Sequence, residues 1–128
     1  MRGRYPQHGG RVMIAAALVA AIALSAPMSE ASVPERTFLA CVQEHESRGN
    51  PRAENPISTA SGLYQFIDAT WRGNAKWAKW RDTYPARKYR RASQAPRWIQ
   101  DLVALHSVRQ GGFRHWHGTG CRYKGVVA

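Results

Sequence analysis

The sequence predicts a small, mainly α domain, with α+β character confined to one short loop or hairpin. Three observations carry that reading. Apolar residues recur at helical spacing in two stretches, Gly and Pro clusters close them, and two cysteines sit where they can tie the two ends of the domain together.

The first residues read as a leader. Arg2, Arg4 and Arg11 make a basic start, 12–25 is a short apolar run, and Ser29-Glu30-Ala31 supplies small residues for cleavage. The run is too short to span a bilayer. A secretory signal peptide over 1–31 is therefore expected, with an uncleaved anchor as the alternative. Cleavage after Ala31 leaves one domain over 32–128, with cleavage after Ala26 as the alternative.

Pro34 suits a helix start, and Phe38, Cys41, Val42 and His45 then fall at i, i+3, i+4 and i+7. The pattern predicts a helix over 35–48, stopped by Gly49-Asn50-Pro51. Residues 51–66 hold two prolines, a glycine and small polar side chains, and read as a loop or short hairpin. Residues 67–80 read as a second helix weighted by Trp71, Trp77 and Trp80, and 81–91 as a basic, solvated loop. The third helix, over 93–110, carries Trp98, Ile99, Leu102, Leu105 and Val108 on one stripe and ends at Gly111-Gly112.

Two cysteines, Cys41 and Cys121, remain after the leader. In an exported chain an even count without metal-like spacing implies a disulfide; two free thiols would require a reducing compartment. The chain carries +11 at pH 7. Such a charge favours polyanions: nucleic acid, anionic membrane or an anionic cell wall. Export makes nucleic acid the least favoured of these.

Glu44 and Glu46 lie in the closing turns of the first helix, where the macrodipole disfavours a carboxylate. Glu46 falls beside the buried face, whereas Glu44 points elsewhere and reads as surface. A carboxyl at a helix end among aromatic neighbours has its pKa raised, which suits a general acid.

From here the chain resembles a family. Glu46-Ser47, Gly49-Asn50, Ser61-Gly62-Leu63-Tyr64-Gln65-Phe66, Thr70-Trp71, Gln100-Asp101 and the 111–121 tail, in that order, resemble the lysozyme-like lytic transglycosylases and resuscitation-promoting-factor-type wall enzymes. The resemblance covers nearly all of 35–122. It implies a small lysozyme-like fold with a catalytic cleft beside the loop, and an exported enzyme cutting the MurNAc–GlcNAc bond of peptidoglycan strands. It makes Glu46 the catalytic acid and puts Ser61, Tyr64 and Gln65 against sugar hydroxyl and acetamido groups. Trp71 or Trp116 would stack on a sugar ring. It also pairs Cys41 with Cys121 and implies a monomer drawn to the wall by charge, with no metal or organic cofactor. The family's Tyr-Asn-Ala-Gly motif after the long helix is missing, so the far side of the cleft has no assigned residues.

Ordinary glycosidases use a second carboxylate. Glu54, Asp68, Asp82 and Asp101 are the candidates, and no spacing selects one. The resembled transglycosylases manage with a single glutamate. His115-x-His117 alone is weak as a metal pair. Two other classes fit the charge: a non-catalytic cationic wall-binding module of the same fold, and a secreted cationic antimicrobial or nucleic-acid-binding protein.

Overall fold

The computed structural model describes residues 24–125. The helices among them are α1 (Ala26–Ser29), α2 (Val33–Ser47), α3 (Asp68–Ala75) and α4 (Arg97–Arg109), with 3-10 segments at Pro85–Lys88, Ala92–Gln94 and Gly112–Thr119. The fold is mainly helical. The hairpin expected over 51–66 reduces to single antiparallel bridges, Glu54 to Ser61 and Ser61 to Phe66.

Helix α2 starts where its chemistry allows. Ser32 Oγ accepts from the Glu35 N–H, and Glu35 Oε1 accepts from the Ser32 N–H at 2.7 Å, a reciprocal cap with Pro34 just inside it. Its core side is Phe38, Leu39 and Val42; His45, expected on that stripe, is exposed. The start of α2 is tied to the end of α4, because Arg109 donates to Glu35 through Nε at 2.8 Å and Nη2 at 3.0 Å. That guanidinium holds the Glu35 carboxyl below the usual carboxylate range, against the cost of its burial. A lowered folded-state pKa gives stability that is present above the ordinary carboxylate range and lost as pH falls through the lowered value. Because Arg109 is half-exposed, solvent screens part of this pair. Arg109→Leu is expected to cost about 1–2 kcal/mol at pH 7, by urea midpoints, and much less at pH 3.

Helix α4 is buried almost all round, from Ile99 through Leu105 and at Ser107 and Val108, so it forms the axis of the core. The second predicted helix is shorter than its pattern, ending at Ala75 rather than residue 80. Gly73 and Asn74 are poor helix formers, and the chain then turns at Trp80–Thr83 with Arg81 and Asp82 both at positive φ. Trp80 packs on half-buried Trp98, whereas Trp77 is 57% exposed. The 81–91 stretch is less solvated than expected: Ala86 is fully buried, and Arg91 bridges Glu54 at 3.0 Å and Asp68 at 3.1 Å.

The expected disulfide joins Cys41 in α2 to Cys121, residues 80 apart. Residues 1–23 of the expected leader lie outside the described residues, but its end does not. Pro27 and Met28 are buried in α1 against α4, Ser25 Oγ donates to Asp101, and Arg36 donates to the Ala31 carbonyl at 2.6 Å. A boundary after Ala31 therefore cuts through packed structure. A chain beginning at Ser32 is expected to be less stable than one beginning at Leu24 by about 2–4 kcal/mol, chiefly from Met28. Thermal melts of the two chains check this.

Candidate active site

Glu46 stands in the last turn of α2, half-buried, while Glu44 is exposed. Burial raises the Glu46 carboxyl above its usual range, and the nearby charge of His45 opposes this; among the described residues, no hydrogen bond or ion pair contributes. A carboxyl with no partner and a raised pKa has a proton to give.

The helix end beneath it is locked. Arg97 donates from α4 to the Gly49 carbonyl at 2.9 Å, and to Gln43 Oε1, placing a cation at the negative end of α2. Arg48 takes a left-handed conformation to turn the chain out of the helix. Ser47, next to Glu46, donates its hydroxyl to the Leu63 carbonyl at 2.8 Å. That bond couples the glutamate's helix to the 61–66 turn.

The turn is held from several sides. The Leu63 N–H donates to Gln100 Oε1 at 2.7 Å, and Gln100 Nε2 donates to the Pro51 and Ala95 carbonyls. Trp116 Nε1 donates to the Tyr64 carbonyl at 2.8 Å. Gly62 has a φ of +82°, and any Cβ there would strike the Gln100 side chain. Gln65 also sits at positive φ, its amide donating to the Gly62 and Ala53 carbonyls at 3.0 and 3.3 Å.

Of the residues expected along a sugar groove, only Gln65 reaches the surface beside this turn. Ser61, Tyr64, Trp71 and Trp116 are all buried, the most exposed of them at 3%. They belong to the core, which corrects the groove assignment, because each is spent on internal packing and hydrogen bonds. The Tyr64 ring packs among Phe66 and Trp116, and its hydroxyl donates to Asp101 while accepting from Gln43 at 2.7 Å. Trp71 donates from Nε1 to the Tyr89 carbonyl, and Ser61 Oγ accepts from the Ser93 N–H. Burial pushes the Asp101 carboxyl up, against hydrogen bonds from Tyr64 and Ser25 and the charge of Arg97. Burial and the Asp101 charge push the Tyr64 phenol well up, so it remains a donor.

The four candidate second carboxylates are otherwise engaged. Glu54 accepts from Ser93 and pairs with Arg91, Asp68 shares that arginine, Asp82 is exposed beside Lys79, and Asp101 is in the buried network. Sequence reasoning left Ser47, Gly62 and Gln100 without roles. Their place inside the family-like motifs was the available signal.

Two concavities lie elsewhere on the described surface, one by the tail and one along α2. One, of about 370 Å³, is lined by Phe113, His117, Cys121 and Tyr123; the other, of about 350 Å³, by Arg36, Gln43, Glu44 and Arg97. Glu46 lines neither. Cys41, His45 and Cys121 place potential ligand atoms within 4.8 Å of one another, but with both sulfurs in the disulfide only the imidazole remains a donor. Among the described residues, no helix is long and apolar enough to cross a membrane.

Residues 20–93 match the family described as the transglycosylase SLT domain. Similar curated proteins include the probable transglycosylase SceD of Staphylococcus aureus strains Newman, Mu3 / ATCC 700698 and USA300. Each is 38% identical over 85 residues, which is 66% of this chain and 33% of the relative. The chain thus spans about a third of the length of the curated relatives it matches. No solved structure matches it.

Proposed function

The chain belongs to the transglycosylase SLT domain family, and from that premise we propose that it cleaves the MurNAc–GlcNAc bond of peptidoglycan strands outside the cytoplasm, with Glu46 as its single general acid and base. The observation that carries the assignment is the half-buried carboxyl of Glu46 in the last turn of α2, unpartnered among the described residues and raised in pKa.

Glu46 protonates the glycosidic oxygen as the bond from C1 to that oxygen breaks. The substrate's own acetamido oxygen stabilises the positive charge at C1. The carboxylate left behind then takes the proton from O6, which attacks C1 and closes a 1,6-anhydro ring. One carboxyl serves both steps, in keeping with the engagement of Glu54, Asp68 and Asp101 elsewhere. Gln65, beside the Ser47–Leu63 link, is the side chain best placed to meet a sugar amide. The basic and apolar start of the chain acts in this reading as an export leader, and the domain works as a monomer at the wall.

The test is mass spectrometry of fragments released from purified peptidoglycan by the purified chain. Anhydro-ended muropeptides are expected. Reducing ends would replace ring closure by hydrolysis with the same acid, and no release at all would sink the enzymatic reading.

A further inference from the structure

Away from Glu46, Arg72, Lys76, Arg87 and Arg90 surround a small cavity of about 210 Å³, completed by Ala75 and Tyr89. Among the described residues, no carboxylate lines it. The acidic groups on the adjoining elements, Asp68 in α3 and Glu54 across the loop, are paired with Arg91. Four cations around one cavity repel one another, so the arrangement favours an anion between them.

All four side chains are exposed, and two of them already bond backbone carbonyls at the surface. Arg72 Nη1 donates to the Arg90 carbonyl at 3.3 Å, and Arg87 Nε donates to the Lys76 carbonyl at 2.9 Å, with its guanidinium 4.1 Å from the Tyr84 ring centre. Side chains already ordered lose less freedom on binding. Since Arg87 uses only its Nε, its outer nitrogens remain for a ligand.

We propose that this cavity is a phosphate-binding site, taking a phosphodiester group of an anionic cell-wall polymer. A carboxylate holds its two oxygens in one plane, which a single guanidinium satisfies, whereas the two unesterified oxygens of a phosphodiester project from a tetrahedral centre and can each accept from a different cation. On the Arg90 side the next cation, Arg91, is neutralised by Glu54 and Asp68, which interrupts the continuous track a nucleic acid requires. The choice of a wall polymer rests on the wall-directed function proposed above; the phosphate chemistry does not.

The experiment is co-sedimentation of the purified chain at ~0.15 M salt, where loose surface attraction is largely screened. It compares sacculi that carry phosphodiester polymers with the same sacculi stripped of them by hydrofluoric acid. The variant is Lys76→Gln with Arg90→Gln, whose side chains make none of the backbone bonds above; a matched variant, Lys79→Gln with Arg122→Gln, removes the same charge elsewhere. Wild type and the matched variant should bind the phosphate-bearing sacculi roughly tenfold more tightly than stripped ones, and the cavity variant should lose that gain. Equal binding by all three proteins, or equal loss in both variants, would overturn the site. Duplex DNA that binds more tightly than the sacculi, through the same two side chains, would overturn the wall-polymer assignment. Binding is read from the protein that pellets and cleavage from the muropeptides released, so failure of the one is separate from failure of the other.

Discussion

Glu46→Gln is expected to fold as the parent does and to lose about two to four orders of magnitude of muropeptide release, the usual worth of a positioned general acid. The amide keeps the size and hydrogen-bonding reach of the carboxyl but has no transferable proton. Among the described residues, no hydrogen bond or ion pair depends on the carboxylate, so the melting temperature should hold or rise. The pH dependence follows from the same burial. With the folded-state pKa raised, the protonated form persists above the ordinary carboxylate range, and the basic limb of activity should fall through the raised value. Stability carries the matching sign. The folded chain holds a proton that the unfolded chain has released, so this contribution is full below the ordinary glutamate pKa and is lost as pH rises through the raised one. Turbidity clearing of purified peptidoglycan and melts across pH 4–8 test both statements. A Glu46→Gln variant that still clears the suspension would remove Glu46 from the chemistry.

Opening the disulfide should have the largest effect on stability. Cys41 and Cys121 are 80 residues apart, and a closed loop of that length is worth about 4–5 kcal/mol in the chain-entropy model. For a domain of this size that corresponds to a melting temperature lower by roughly 20 °C or more. The damage should reach the site as well. Cys121 anchors the end of the Gly112–Thr119 segment, and Trp116 in that segment holds the Tyr64 carbonyl. Cys41→Ser with Cys121→Ser, compared with the parent with and without reductant, is the measurement. A double variant melting within a few degrees of the parent would show that packing alone holds the tail.

The sequence already placed α2, its end at Gly49-Asn50-Pro51, and the half-buried position of Glu46, because those depend on local periodicity and on breakers. It also placed the 93–110 stretch around α4. The aromatic residues misled. Tyr64, Trp71 and Trp116 supply much of the core volume in so small a domain, and stacking on sugar leaves the same mark in a sequence as packing on a neighbour. The second helix is shorter than its weight of aromatic residues predicts, since Trp77 is exposed and Trp80 lies in a turn. The buried polar work of Gln100 and Asp101 joins residues 37 apart in the chain, a separation at which periodicity carries no information.

Gly62 and Gln100 hold each other hostage in any lineage that keeps this turn. A side chain at 62 needs the room that the glutamine occupies, and a smaller residue at 100 abandons the Leu63 amide together with the Pro51 and Ala95 carbonyls. Neither position has a single-step escape. Drift among descendants should therefore pass these two sites by.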